Sequence, residues 1–511
     1  MFNIKLILKK IKHNINTVDL IALVGILGIY LTTRLFALNN FPIFVDEGIY
    51  IHWAKIARAD ASWRFISLTD GKQPLHTWGI IPFLKLFPNE ALLAGRLFSV
   101  CSGLVALGGM FFLLYYLFGK KAAILGAFIY VLTPFFLFYD RLALADSAVN
   151  AGFIWMLFFS ILLIKTLRLD VALIFGLISG LALLTKSSSW LFLGLAALAP
   201  IVAWEKKINR FFHTCVNYYI LYGLTFSLAF IIYNIQKLSP FLHYVAEKNK
   251  TFVMTVSEFI RNPFFSFFVN IKNLPIYILL ESGIVIFILG LIGCYLIFQK
   301  HWRLATYLSG WFILPFIAIA FFSKVIFPRY LIFFASLLVI TTTYLFVYLK
   351  KHRILSSILL GIFLLINSYF NYTILIDYNN LPFPEVDRGQ YITGITAGWG
   401  VKEIMEIARQ LSQKKPVLLL AEGNFGLIAD MLYVYQRPND PIEIRGFWPL
   451  NKEDLIVNQS ELKNKIVLVV FSHRQQFNSD WPIKLIKKYP KPNSNLSYHL
   501  FLLKPNQEAK K

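Results

Sequence analysis

Residues 330–349 read YLIFFASLLVITTTYLFVYL, without a charge, and the next four are Lys350-Lys351-His352-Arg353. About 20 apolar residues make one helical crossing of a bilayer. A second apolar run follows at once, over 354–376. Run, basic turn, run is the pattern that decides the fold class, and it extends backwards along the chain. Similar runs stand near 19–37, 91–118, 122–139, 147–164, 171–185, 190–204, 213–235, 275–298 and 304–322. They predict a polytopic α-helical membrane protein of about eleven transmembrane helices. The short pair at 171–185 and 190–204 also reads as one broken hairpin. Of the 511 residues, 57% are hydrophobic and 15% charged. Soluble domains carry about 45–50% and about 25%. Disorder, a coiled coil and an ordinary soluble enzyme are therefore excluded.

The net charge of +23 belongs to the membrane reading, with no nucleic acid as partner. Every second connection is basic: Lys5 to Lys12, Lys120-Lys121, Lys165 to Arg168, Lys206 to Arg210, Lys300 to Arg303 and Lys350 to Arg353. The positive-inside rule puts these in the cytoplasm. The expectation is a multi-pass protein of the cell membrane, its first run an uncleaved anchor and its N-terminus cytoplasmic. Loops 38–90 and 236–274, turns near 140–146, 185–189 and 323–329, and the C-terminal region then lie outside. In the first loop Ile49, Trp53 and Ile56 share one helical face, and 74–87 reads as a second juxtamembrane helix. Cys101, Cys215 and Cys294 lie in apolar runs and form no disulfide framework.

Beyond about 385 the runs shorten to strand length, at 416–420, 442–445, 465–471 and 498–503, with helical stretches at 400–412 and 425–435. The chain therefore divides into a transmembrane domain, 1–376, and a small extracytoplasmic α/β domain, 385–511. Gly423-Asn424-Phe425-Gly426 lacks the Lys-Ser/Thr of a phosphate loop and reads as a plain turn. No acidic residue of this domain stands in a motif, and it is expected to be accessory.

With only 27 acidic residues, position carries information. Asp46-Glu47 follows the first span, in Phe44-Val45-Asp46-Glu47-Gly48-Ile49-Tyr50, and Asp146 follows the third, in Arg141-Leu142-Ala143-Leu144-Ala145-Asp146. Lys72 and Arg329 fall on the same side. A carboxylate there can deprotonate an acceptor hydroxyl while cations stabilise a departing phosphate. A solvated acidic pair is the competing reading of Asp46-Glu47 taken alone. Arg34 and Arg96 either reach a phosphate or snorkel to the interface. Glu281 reads as a helix-terminus residue, and Glu258 and Arg261 as an interfacial helix.

Asp46-Glu47-x-x-Tyr50, Lys72-Gln73-Pro74-Leu75-x-x-Trp78 and Gly95-Arg96-Leu97 resemble the first-loop pattern of the protein O-mannosyltransferase family, which includes the lipid A aminoarabinose transferase. Arg141-x-x-x-x-Asp146 and Gly180-Leu181-Ala182-x-x-Thr185-Lys186 resemble its second and third signatures. The resemblance implies a C-type glycosyltransferase fold and an inverting membrane glycosyltransferase of hexosyl or pentosyl transfer. Its donor would be a polyprenyl-phosphate sugar and its acceptor an extracytoplasmic lipid, glycan or protein. It implies Asp46, Asp146 and Glu47 as catalytic carboxylates. It implies Lys72, Tyr50, Arg96, Arg141, Lys186, Arg329 and Tyr330 at the substrate. No cofactor is implied; a divalent metal is compatible but not called for. Where the family commonly has Lys-Pro-Pro, this chain has Lys72-Gln73-Pro74, so one fixed φ angle is lost. A polyprenyl-diphosphate-dependent ligase or oligosaccharyltransferase of the same fold stays open, as does a lipid or sugar flippase. A flippase would carry ionisable residues at mid-membrane, and a diphosphate donor would call for a metal. A non-catalytic scaffold leaves the loop signatures unexplained.

Overall fold

The computed structural model describes residues 16–505; the lysines from Lys5 to Lys12 lie outside the described residues. All eleven apolar runs are helical. Among the described residues, seven helices are long and apolar enough to cross a membrane, or up to nine if each of two bent pairs is one span; Leu169–Leu183 and Ser189–Ala203 are shorter. The bends have local causes. Lys120–Leu132 and Pro134–Asp140 meet at 63°, where Pro134 denies the helix a donor. Phe267–Ser282 and Ile284–Lys300 meet at 110°, where Gly283 adopts φ +87°. The chain is a multi-pass membrane protein.

Burial sorts the helices. Most of the segment Pro328–Lys351 is buried and it forms the centre, while Thr17–Leu35 is mostly unburied and lies at the edge. The Thr17–Leu35 helix starts on a capping box, Asn16 with Asp19, which satisfies end donors reciprocally. The central helix Ile332–Tyr348 packs closely on Ile284–Lys300. A Cβ on Gly293 would stand 1.9 Å from the Thr341 carbonyl oxygen, the close backbone approach that small residues give membrane helices.

The expected juxtamembrane helices are Val45–Ala59 and Leu75–Leu86. The C-terminal sheet has the order β2-β1-β3-β5-β4, with β1 Val417–Glu422, β2 Ile442–Phe447, β3 Ile466–Phe471, β4 Ile483–Pro490 and β5 Ser497–Leu503. β2, β1 and β3 are parallel, and β5 and β4 run antiparallel. β4 was not expected. Its Lys484, Lys487 and Lys488 mask the apolar pattern, and it is a solvent-facing edge strand, where lysine discourages further pairing. Side chains alternate along β1. Val417, Leu419 and Ala421 join the core that runs into the membrane helices. Leu418 and Leu420 join a separate small core with Val467, Val469 and Phe471. One face of the sheet thus shares its packing with the transmembrane part.

Candidate active site

Asp46 stands in the first turn of the helix Val45–Ala59, where a carboxylate is favoured by the helix dipole. Lys72 arrives from the other side of the first loop. It follows Gly71, whose φ of +65° only glycine adopts freely. A Cβ there would meet Lys248 Cβ and the Tyr244 carbonyl at 2.5 Å, so the helix His243–Phe252 packs directly on this turn. Where the first proline of Lys-Pro-Pro is missing, hydrogen bonds hold the turn: Gln73 Nε2 donates to Ser187 Oγ (3.3 Å) and the Leu75 N–H to the Leu184 carbonyl (2.9 Å).

Asp46 is clamped between two cations. Lys72 Nζ lies 3.5 Å from Oδ1 and Arg329 Nη2 2.9 Å from Oδ2. Burial pushes the Asp46 carboxyl up, but Lys72 and then Arg329 outweigh it and hold it below the usual carboxylate range. Asp146 opens the helix Asp146–Thr166 and accepts from Lys186 Nζ at 2.9 Å. The Lys186 ammonium also sits 4.0 Å from the Tyr330 ring centre, and Lys72 lies 5.0 Å from that of Tyr50, both within cation–π range. Lys248 pairs with Asp70 at 2.7 Å.

These groups line one cavity of ≈ 620 Å³. Asp46, Asp146, Tyr50, Lys72, Lys186, Arg329 and Tyr330 all face it, and Leu191, Phe192, Phe252, Ile326 and Phe333 make it apolar elsewhere. A site with charged groups against an apolar wall suits an amphiphile with an anionic head. Loops far apart in sequence close it. Val253 bridges Ser323, and Lys324 pairs with Glu258 at 2.8 Å. Among the described residues no three His, Cys, Asp or Glu side chains form a metal-holding group.

Three expected site residues stand behind the cavity. Glu47 is fully buried. Its carboxylate accepts from Arg96 Nε (2.8 Å) and Nη2 (2.9 Å), and from the backbone N–H groups of Phe44 and Ala143. Arg96 spends its other donors on the carbonyls of Leu38, Phe41 and Pro42. Arg141 donates to the carbonyls of Thr33, Arg34 and Phe36. This buried network ties the first loop to the turn before Asp146, and none of the three residues lines the cavity. Arg34 does not snorkel; it is buried against Asp140 at 3.3 Å.

The region after 385 is not peripheral. Gln390, Thr396, Phe425 and Gly426 line the cavity, and Phe425 stacks on Trp53 with ring centres 5.7 Å apart. Asp430 joins His52 Nδ1 at 2.6 Å and accepts the Gly426 N–H at 2.7 Å. Lys55 donates to the carbonyls of Tyr433 and Gln436. Sequence reading missed Lys248, Gln390 and Phe425, since no motif marks them. The glycines on either side of Asn424-Phe425 were the available signal.

Residues 71–235 match the family model described as dolichyl-phosphate-mannose-protein mannosyltransferase. No curated protein sequence matches the chain. The structure is similar to that of ArnT from Cupriavidus metallidurans bound to undecaprenyl phosphate, with a TM-score of 0.60 and 15% identity, over 94% of this chain and 97% of that one. It is also similar to an Archaeoglobus fulgidus oligosaccharyltransferase in complex with Zn and sulfate, with a TM-score of 0.54 and 13% identity, over 88% of this chain and 67% of the other. At such identities the likeness concerns the fold. With the motifs of its outer loops, the family match over 71–235 and this fold, the chain resembles the protein O-mannosyltransferase and lipid A aminoarabinose transferase family of C-type glycosyltransferases.

Proposed function

We propose that the chain is an inverting glycosyltransferase that moves a sugar from a polyprenyl-phosphate donor to an acceptor hydroxyl outside the cytoplasm. The observation that carries this is Asp46 held between Lys72 and Arg329 in a cavity otherwise largely apolar. The undecaprenyl phosphate bound to the Cupriavidus relative supports a polyprenyl phosphate as the carrier. In the reaction the acceptor oxygen attacks the anomeric carbon and the carbon–oxygen bond to phosphate breaks. The acceptor proton goes to Asp46, and the phosphate leaves with the bonding electrons. Lys72 and Arg329 take up its charge, and Lys186 adds to the field from beside Asp146. The acceptor can be a lipid, a glycan or a protein, and the sugar a hexose or a pentose. The cavity carboxylates Asp46, Asp70 and Asp146 each face a lysine or arginine, which favours a single-phosphate donor with cationic side chains over a diphosphate donor with a metal.

The test is transfer by the purified protein from polyprenyl-phosphate donors of different radiolabelled sugars to added membranes. Asp46→Asn keeps the shape of the side chain but cannot take the proton. The expected rate is lower by about 10²–10⁴, the usual worth of a general base, with donor binding near normal. Turnover within about threefold of the parent would remove Asp46 as the base.

A further inference from the structure

Arg329 is held at both ends of its guanidinium. Nη2 reaches Asp46 Oδ2 at 2.9 Å, and Nη1 donates to Gln390 Oε1 at 2.9 Å and to Tyr391 Oη at 3.1 Å. Gln390 and Tyr391 belong to the single π-helical turn Gly389–Thr393, beyond the last membrane helix. Gln390 faces the cavity. Tyr391 is buried, its ring edge-on to Phe44 at 4.7 Å, next to the helix that carries Asp46.

The turn is itself anchored on both sides. On the membrane side buried Asp387 accepts from the Tyr139 hydroxyl and neighbours the buried carboxyl of Glu281. On the other side Thr396 Oγ1 donates to the Gln390 carbonyl at 2.8 Å, and Trp399 Nε1 to the Ile392 carbonyl at 2.8 Å. The Val45 N–H then donates to the Thr396 carbonyl at 3.1 Å. The same stretch therefore grips the base-bearing helix and the arginine opposite it.

We infer that Gln390 and Tyr391 are positioning residues of the donor site, holding Nη1 so that Nη2 points into the cavity. A guanidinium is a rigid planar fork, so fixing one arm sets the direction of the other. An incoming phosphate can then take the Nη2 donor without reorganising a long flexible side chain. The inference rests on the reading that Arg329 meets the donor phosphate. It makes the segment after the last span part of the donor site.

The test uses the full chain, purified, with undecaprenyl phosphate as the probe. The double variant Gln390→Leu/Tyr391→Phe removes both acceptors and keeps the shapes. Its affinity is expected to fall about 5–20-fold, less than loss of a whole charge-assisted bond would cost, with little change in melting temperature. In transfer assays the donor KM rises more than kcat falls, a split that general loosening of the fold does not give. The inference is overturned if the double variant binds within about twofold while Arg329→Ala loses about tenfold or more. Should the double variant fold poorly, Tyr391→Phe and Gln390→Leu singly decide: both within about twofold overturns it, and either one weaker by more, at unchanged melting temperature, supports it. If the parent itself does not bind undecaprenyl phosphate, the phosphate reading of the cavity falls first and this inference with it.

Discussion

Asp46 and Glu47 are neighbours in sequence and opposites in role. One residue turns a helix by about 100°, so Asp46 faces the cavity while Glu47 faces the buried guanidinium of Arg96. For Asp46 the net effect of burial, Lys72 and Arg329 is a carboxyl below its ordinary 3.8. Asp46 is thus ionised at neutral pH, as the proposed base must be, and an acid limb of kcat/KM from this group is expected below that value. In Lys72→Met burial persists and one cation is gone, so the folded pKa rises and the acid limb moves to higher pH. Activity above the limb falls by about 10–100-fold, the worth of a hydrogen bond to a charged group. A pH–rate profile checks both; an unmoved limb in Lys72→Met would detach the lysine from Asp46. The cavity-facing residues Asp46, Tyr50, Lys72, Asp146, Lys186, Arg329 and Tyr330 were legible because motif order and membrane side agree. Glu47, Arg96 and Arg141 share those motifs, but a motif does not say which way a side chain turns. Gln390 and Tyr391 were not legible, since their partner stands about sixty positions away and their turn has no composition of its own.

At the scale of elements, hydropathy located every apolar run, because about 20 uncharged residues have few other fates. It did not locate the bends at Pro134 and Gly283, since a window average is blind to a single breaker. It also passed over β4, whose lysines suit an edge strand. The contact between Ile284–Lys300 and Ile332–Tyr348 is the tightest test of the packing. Gly293→Val puts atoms where the Thr341 carbonyl stands 1.9 Å from an ideal Cβ, and backbone cannot rotate away as a side chain would. The expected cost is at least the ~1–3 kcal/mol of an overpacked core, read as a lower apparent melting temperature and reduced yield of folded protein. Gly361→Ala is the control, because nothing lies within 4 Å of a Cβ there. Equal behaviour of the two variants would mean that the helices do not meet at Gly293.

For the whole molecule, the alternation of charge predicts an orientation that can be tested. Between residue 207 and residue 440 the chain passes the runs at 213–235, 275–298, 304–322, 330–349 and 354–376. An odd number of crossings puts reporters fused at those two positions on opposite sides, with 440 outside by the positive-inside rule. Both reporters on one side would mean that the pair bent by 110° returns to the surface it left. The shared core of sheet and spans has a further consequence, for the order of synthesis. Chains emerge N-terminal part first, and domains fold as they become complete. The helices and the loop bearing Asp46 are therefore in the bilayer before β1 to β5 exist. Until then the cavity lacks the wall made by Gln390, Thr396, Phe425 and Gly426, and Arg329 lacks two of its partners. If the proposed transfer is right, a chain that stops short of Gln390 lacks this wall and is expected to use a lipid-linked donor poorly.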